Sequence, residues 1–526
     1  MPKILGKSVA GLGVIFLAIL GIYLFFGSQI NYYLYERDLF QIENEFESKG
    51  SLTIGYLFEP VSFEPTRFNP VNRSYLVNMY EGLIKLDHDL QIKPGLAIAW
   101  GMKDDKTWEF ILRPNVFFHD GSTLDAEDVI ASIERARLYK DSQLIDFLST
   151  IEDVTRISED RIQITTVNPD PLLLQKLSIT NIFPSEVKDL NVPVGTGPYV
   201  FDTIKGDDTV LQRFNAYWGD TPVYEKVILR AIASRRDRER QFEEGEIDIL
   251  ANVPPTTACS VNNYSDFEGC NNINTDGWEI NSIPSLEVSF IMFNFENELL
   301  ADKNVRKAIA MALNKNDLVD FAFGYAKPSS QFISSGVFGF NPNIKVTDFN
   351  VSEAKRLIRD KQSGSFERLT VNFDYPAGLD AIAKYVEAQL EEIGIDVQSN
   401  ALSAVEFSEA LKKANSDMYF LGWKSELGDA LDFLEGVAHS RDADLGFGSF
   451  NAINYENAEV DSLINEIVEN LDEEKRLEQM QTVMQIITEN DIIGVPLFES
   501  ETIFAIKKGF ELNVRIDGYI HAKDVK

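Results

Sequence analysis

The 526-residue sequence predicts an α/β chain of two or three lobes carried behind an apolar N-terminal segment. Three observations predict it. The length exceeds what one hydrophobic core fills. Strand-like alternation and helix-like spacing are interleaved from Ser51 onward, with no repeat and no Pro/Ser-rich linker between them. And no charged residue falls between Lys7 and Glu36. The 44% hydrophobic and 25% charged content is that of a globular protein. Forty-nine basic against eighty-three acidic residues leave a net charge of −34, which repels phosphate backbones and anionic headgroups and excludes nucleic-acid binding.

The first element is the run "SVAGLGVIFLAILGIYLFFG", about 20 apolar residues and so long enough to span the hydrocarbon core of a bilayer. Lys3 and Lys7 precede it and no basic residue follows until Arg37, so the positive-inside bias puts the N-terminus in the cytoplasm and the body outside. Tyr32, Tyr33 and Tyr35 fall at the outer interface. A cleaved secretory signal is the competing reading; the run is longer than a usual signal core and no A-x-A-like site follows. The expectation is a single-pass transmembrane anchor over residues 1–35, a linker over 36–50 and an extracytoplasmic body.

In the body, "SLTIGYLF" alternates as a strand, "KTWEFILRPNVFF" is strand-rich, and "DAEDVIASIERARLY" has helical spacing behind an acidic first turn. "NVRKAIAMALNKNDLVDFAF" reads as one amphipathic helix ending at Gly324, and "VSEAKRLIRD" as another. Then "RLTVNFDYP", "LDAIAKYVEAQLEEIG", "IDVQSNAL", "AVEFSEALKKAN" and "DMYFLGW" read β-α-β-α-β, the order of a parallel sheet with right-handed crossovers. Ligands of such sheets bind beyond the carboxyl ends of the strands. Trp423 and Glu426, in "LGWKSELGDALDF", lie just past one of them, and Asp429 and Asp432 read as turn and helix-cap residues.

Other candidates reduce to plainer readings. "VGTGPY" lacks the GK[ST] ending of a phosphate loop and reads as a tight turn entering a strand. "SRRDRER" is followed by "QFEEGEID" and reads as a salt-bridged helix face. The four histidines, His88, His119, His439 and His521, form no metal array, and no nucleophile elbow is present, so no metal, cofactor or catalytic residue is assigned. Cys259 and Cys270 lie in a polar, Asn-rich stretch; outside the cytoplasm the simplest reading is a disulfide closing a short loop, with metal binding the weaker alternative.

"TWEFILRPNVFFHDGSTLDAEDVIASIERA" resembles the signature of the family 5 extracytoplasmic solute-binding proteins, the oligopeptide- and dipeptide-binding components of ABC importers. "MYEGLIKLD", "VGTGPYVF", "EEGEIDIL", "NVRKAIAMALNKNDLV" with "GYAKP", and "GWKSELGDALDF" follow the same pattern in the same order. The resemblance implies a two-lobed, clam-shaped binding protein of the large type II class with an extra subdomain in the first lobe. On that pattern lobe I covers residues 51–287, lobe II 288–492, and 493–526 return to lobe I. The chain would cross near "LEVSFIMFNF" and "IIGVPLFES".

It further implies a peptide ligand and ABC permease subunits as partners. Gly422, Trp423 and Lys424 would run beside the ligand and bond its main chain. Glu426 takes the place of the aspartate that pairs with the ligand's α-ammonium and reaches one methylene further, which leaves the geometry open. Phe68, Asn69 and Val71 would supply the opposite wall. Relatives of this fold also bind nickel complexes, haem or oligosaccharides. A sensory receptor on the same fold is the alternative from another class, separable by the absence of a neighbouring permease gene; an extracytoplasmic enzyme ranks last.

Overall fold

The computed structural model describes residues 49–526 apart from 188, 256–257, 259–276, 322–323, 363–367 and 444–445. The expected anchor and all but the last residues of the linker lie outside the described residues, as do Cys259 and Cys270. No helix among the described residues is long and apolar enough to cross a membrane.

The chain divides into two compact units. The first runs to Ala251 and takes up Gly509–Arg515 and Tyr519–Lys526; the second is Asn252–Lys508 with Ile516–Gly518. The first unit is therefore discontinuous.

Its strands are β1 (Lys49–Tyr56), β2 (Ile84–Leu86), β3 (Ile92–Pro94), β4 (Ala97–Met102), β5 (Thr107–Leu112), β6 (Ile151–Ser158), β7 (Arg161–Thr166), β8 (Tyr199–Lys205), β9 (Asp208–Arg213), β10 (Tyr224–Ala231) and β11 (Ile249–Leu250). They form a mixed sheet in the order β11-β1-β10-β9-β8, an antiparallel sheet β4-β5-β7-β6, and the β2-β3 hairpin. The helix Ala126–Leu138 begins in a reciprocal capping box: Asp125 accepts from the Asp128 amide and the Asp128 carboxylate accepts from the Asp125 amide. Pro114 and Asn115, the latter at φ 58°, cut "KTWEFILRPNVFF" short at Leu112.

The glycines of "VGTGPY" serve close approach to backbone. A Cβ at Gly195 would stand 2.2 Å from the Met79 carbonyl oxygen, and one at Gly197 2.6 Å from the Met79 carbonyl carbon. This segment also holds His119: the Gly195 amide donates to Nδ1 (3.3 Å) and Nε2 lies 3.0 Å from the Gly197 carbonyl. One nitrogen accepting and one donating is the pattern of a neutral ring, and burial pulls its pKa down to about 4.

The second unit carries β12 (Trp278–Phe293), β13 (Ala326–Pro328), β14 (Leu369–Pro376), β15 (Ile395–Leu402), β16 (Met418–Lys424) and β17 (Gly494–Lys507), in the order β15-β14-β16-β12-β17 with β13 also on β17. β14 pairs in parallel with β15 and β16, and helices Asp380–Glu392 and Ala404–Lys413 make the crossovers. Phe293, Val305, Ile309, Phe373, Val386, Ile395 and Met418 are core residues here. Gly394, at φ +94°, ends the helix before β15.

One expectation differs from this arrangement. The stretch read as one helix up to Gly324 is two, Lys303–Ala312 and Lys315–Asp320, because the Asn314 side chain caps the second by accepting from the Asn316 amide. The division between the two compact units falls at Ala251/Asn252 and after Lys508. β12 and β17 pair with each other from Trp278–Lys507 to Met292–Gly494, so both strands stay wholly in the second unit.

Candidate functional site

β16 leaves one edge open. On one side it pairs with β12 along its whole length, from Phe293–Met418 to Glu287–Lys424. On the other it meets β14 only at Phe373–Met418 and Asp374–Tyr419. β14 stops at Pro376, which brings no N–H to a ladder. From Phe420 to Trp423 the second edge of β16 therefore pairs with no described strand. Asp417, at the start of β16, is fixed by the Asn372 amide (2.7 Å) and the Asn297 side chain (2.8 Å).

Side chains at the strand end alternate between two environments. Trp423 stands edge-on to Phe433 and Phe450, with centroids 5.7 Å away in each case, and donates from Nε1 to Asp432 Oδ1 at 3.3 Å. Ser425 Oγ and the Phe433 amide donate to the same oxygen. Burial pushes the Asp432 carboxyl well up from its ordinary range while the indole N–H pulls the other way. Asp432 thus caps the turn and also sets the indole plane. Asp429 accepts from the Leu431 amide and forms a buried ion pair with Arg476 at 2.7 Å. Main-chain bonds from the Phe338 amide to Gly428 and from the Ala430 amide to Phe338 pin the loop behind the strand.

Lys424 occupies the other face. Its ammonium is 3.3 Å from Glu426 Oε1 and donates to the Asp517 carbonyl at 3.2 Å. Opposite it in register is Glu287, half-buried, whose carboxyl is raised by burial, lowered by Lys424 and raised again by Glu426. Sequence reasoning missed Glu287. The signal was present in "SLEVSFIMF", where one carboxylate stands in a mostly apolar run.

Gly422, Trp423, Lys424 and Glu426 are thus gathered at one strand end of the second unit. Phe68, Asn69 and Val71 share one turn of the first. Asn69 is the N-cap of helix Pro70–Leu76, its Oδ1 accepting from the Asn72 amide at 2.9 Å, so that acceptor serves the helix. Phe68 packs edge-on to Phe147 and lies 5.2 Å from the Arg73 guanidinium carbon. Val71 is half-buried. A cavity of about 680 Å³ in the first unit is lined by Phe58, Glu59, Asp208, Arg230, Asp237 and Glu246 among others, and by none of the expected ligand residues. Its Arg230 is held by both oxygens of Asp208. Among the described residues no three His, Cys, Asp or Glu side chains are placed to hold a metal ion.

A mixed α/β sheet with an open strand end between an indole and a carboxylate pair defines a ligand-binding protein of two units. The chain belongs to the bacterial extracellular solute-binding proteins, family 5, whose middle-region model matches residues 91–444. It is 26% identical over 487 residues to the dipeptide-binding protein DppE of Bacillus subtilis (83% of this chain, 84% of the relative). It is 25% identical over 406 residues to the nickel-binding protein NikA of Staphylococcus aureus (75% and 78%). Its fold matches the periplasmic binding protein DppA of Helicobacter pylori, solved with the peptide STSA, with a TM-score of 0.72 and 21% identity over 90% of this chain and 98% of that one.

Proposed function

We propose that the chain is the extracytoplasmic substrate-binding component of an ABC importer, that its solute is a peptide, and that the peptide lies extended along β16. The open edge from Phe420 to Trp423 carries this reading. Main-chain donors and acceptors there can pair with a peptide backbone whatever its side chains, which is the strand-addition mode. Trp423 then packs against the ligand, and the peptide's amino end lies towards the carboxylates beyond Gly422. The shares of Phe68, Asn69 and Val71 rest on the family resemblance alone. The dipeptide-binding name of the Bacillus relative and the peptide in the Helicobacter structure support a peptide; the nickel-binding name of the Staphylococcus relative supports a metal complex as the second reading.

Mass spectrometry of what co-purifies with the detergent-extracted chain tests this. Peptides are the expected ligands, and a nickel complex with no peptide would replace the reading. The anchor over residues 1–35 belongs to the same proposal. The intact chain is expected to resist carbonate extraction from membranes, and a mature protein beginning after Gly27 would refute an uncleaved anchor.

A further inference from the structure

Two carboxylates flank Lys424, and only one is committed to it. Glu426 pairs with the Lys424 ammonium at 3.3 Å. Glu287 shares a face with Lys424 through the register of β12 and β16. Its carboxylate makes no hydrogen bond or ion pair among the described residues; the Glu287 amide donates to Ser285 Oγ, so the backbone is satisfied and the side chain is not. That side chain leans along the ladder towards Gly422: a Cβ on Gly422 would stand 2.7 Å from Glu287 Oε1. The missing side chain at 422 is what leaves the carboxylate room at the open end of β16. A half-buried carboxylate without a partner is costly, and a ligand cation removes the cost.

We propose that Glu287, rather than Glu426, receives the cationic group of the ligand, which in a peptide is the α-ammonium. The proposal rests on the peptide reading. Lys424 and Glu426 form a fixed pair that leaves one negative charge for one ammonium. Glu287 must be ionised to act, and its carboxyl is raised by burial. Affinity for a free-amine peptide therefore falls as the pH drops from neutrality, sooner than an ordinary glutamate would allow.

The test is capture of a random di- to hexapeptide library, in free-amine and N-acetylated forms, by the full chain in detergent. The readout is the ratio of free to acetylated peptide bound. Glu287→Gln is expected to lower that ratio at least tenfold, about 1.4 kcal/mol, and to flatten its pH dependence. Gly422→Ala keeps every charge but displaces the carboxylate, and is expected to lower the ratio as well. Lys424→Met combined with Glu426→Gln removes one charge of each sign and is expected to lower it less than Glu287→Gln does. A folded Glu287→Gln protein with the wild-type ratio, or a paired variant that alone loses it, overturns the proposal while the peptide reading stands. A wild-type chain that captures no member of either library overturns both.

Discussion

Glu81 in the first unit and Glu287 in the second are both glutamates whose pKa burial pushes up, yet their surroundings differ. Glu81 accepts from Tyr217 Oη at 2.8 Å on one oxygen, and from Thr196 Oγ1 at 2.9 Å and Trp218 Nε1 at 2.6 Å on the other. It ties three distant segments together, and the Tyr217 hydroxyl is driven well up in turn. Glu287 has Lys424 opposite in register and no bonded partner among the described residues. Burial alone therefore does not mark a functional carboxylate. The number of donors around it separates an internal strut from a charge held ready for a ligand.

The largest expected effect is at the strut. Glu81→Ala leaves three donors without their acceptor and should cost about 3 kcal/mol or more in urea unfolding. A loss below about 1 kcal/mol would erase the contrast with Glu287.

Next is the acid response of the first unit. The His119 ring has its pKa lowered by burial from 6.5 to about 4. Its folded form binds fewer protons than the unfolded chain between those values, so its contribution is full above pH 6.5 and is lost as the pH falls to about 4. The loss is about 3 kcal/mol. His119→Gln should remove that part of the pH dependence of unfolding, and an unchanged slope would place the proton elsewhere.

Trp423→Ala removes two edge-on ring contacts, each worth about 1 kcal/mol. It should weaken free-amine and acetylated peptides by the same several-fold factor, because it takes away packing and no charge. A selective loss of the free-amine form would shift the amine contact towards the indole side.

The smallest effect is on the stability of the Glu287→Gln protein. A glutamate whose folded pKa is raised above 4.5 loses stability as the pH rises through the folded value, and glutamine has no such loss. The unliganded variant should be slightly more stable than wild type at pH 7 and equal to it below pH 4.5. Destabilisation at pH 7 would make Glu287 a strut like Glu81.

Much of the second unit was legible as local pattern. Strands Leu369–Pro376, Ile395–Leu402 and Met418–Lys424 and the two helices between them follow from apolar spacing and the Gly394 stop. The pairing of "FHDG" with "VGTGPY" around His119 was not legible, since it joins residues 76 positions apart. The break at Asn314 was missed because apolar spacing continues across it while the side chain, which competes for the backbone, does not register in that spacing.

The sequence by itself determined the interleaved α/β order, the family signature and the placing of Glu426 just past a strand, because periodicity and spacing are properties of neighbours along the chain; Trp423, expected past the same end, pairs with Val288 inside β16. Which residues become partners is a matter of register and burial between segments far apart. The tertiary structure alone decided that β12 lies beside β16, that Glu426 is committed to Lys424, and that Glu287, 136 positions before Gly422's successor Trp423, leans into the space a glycine leaves.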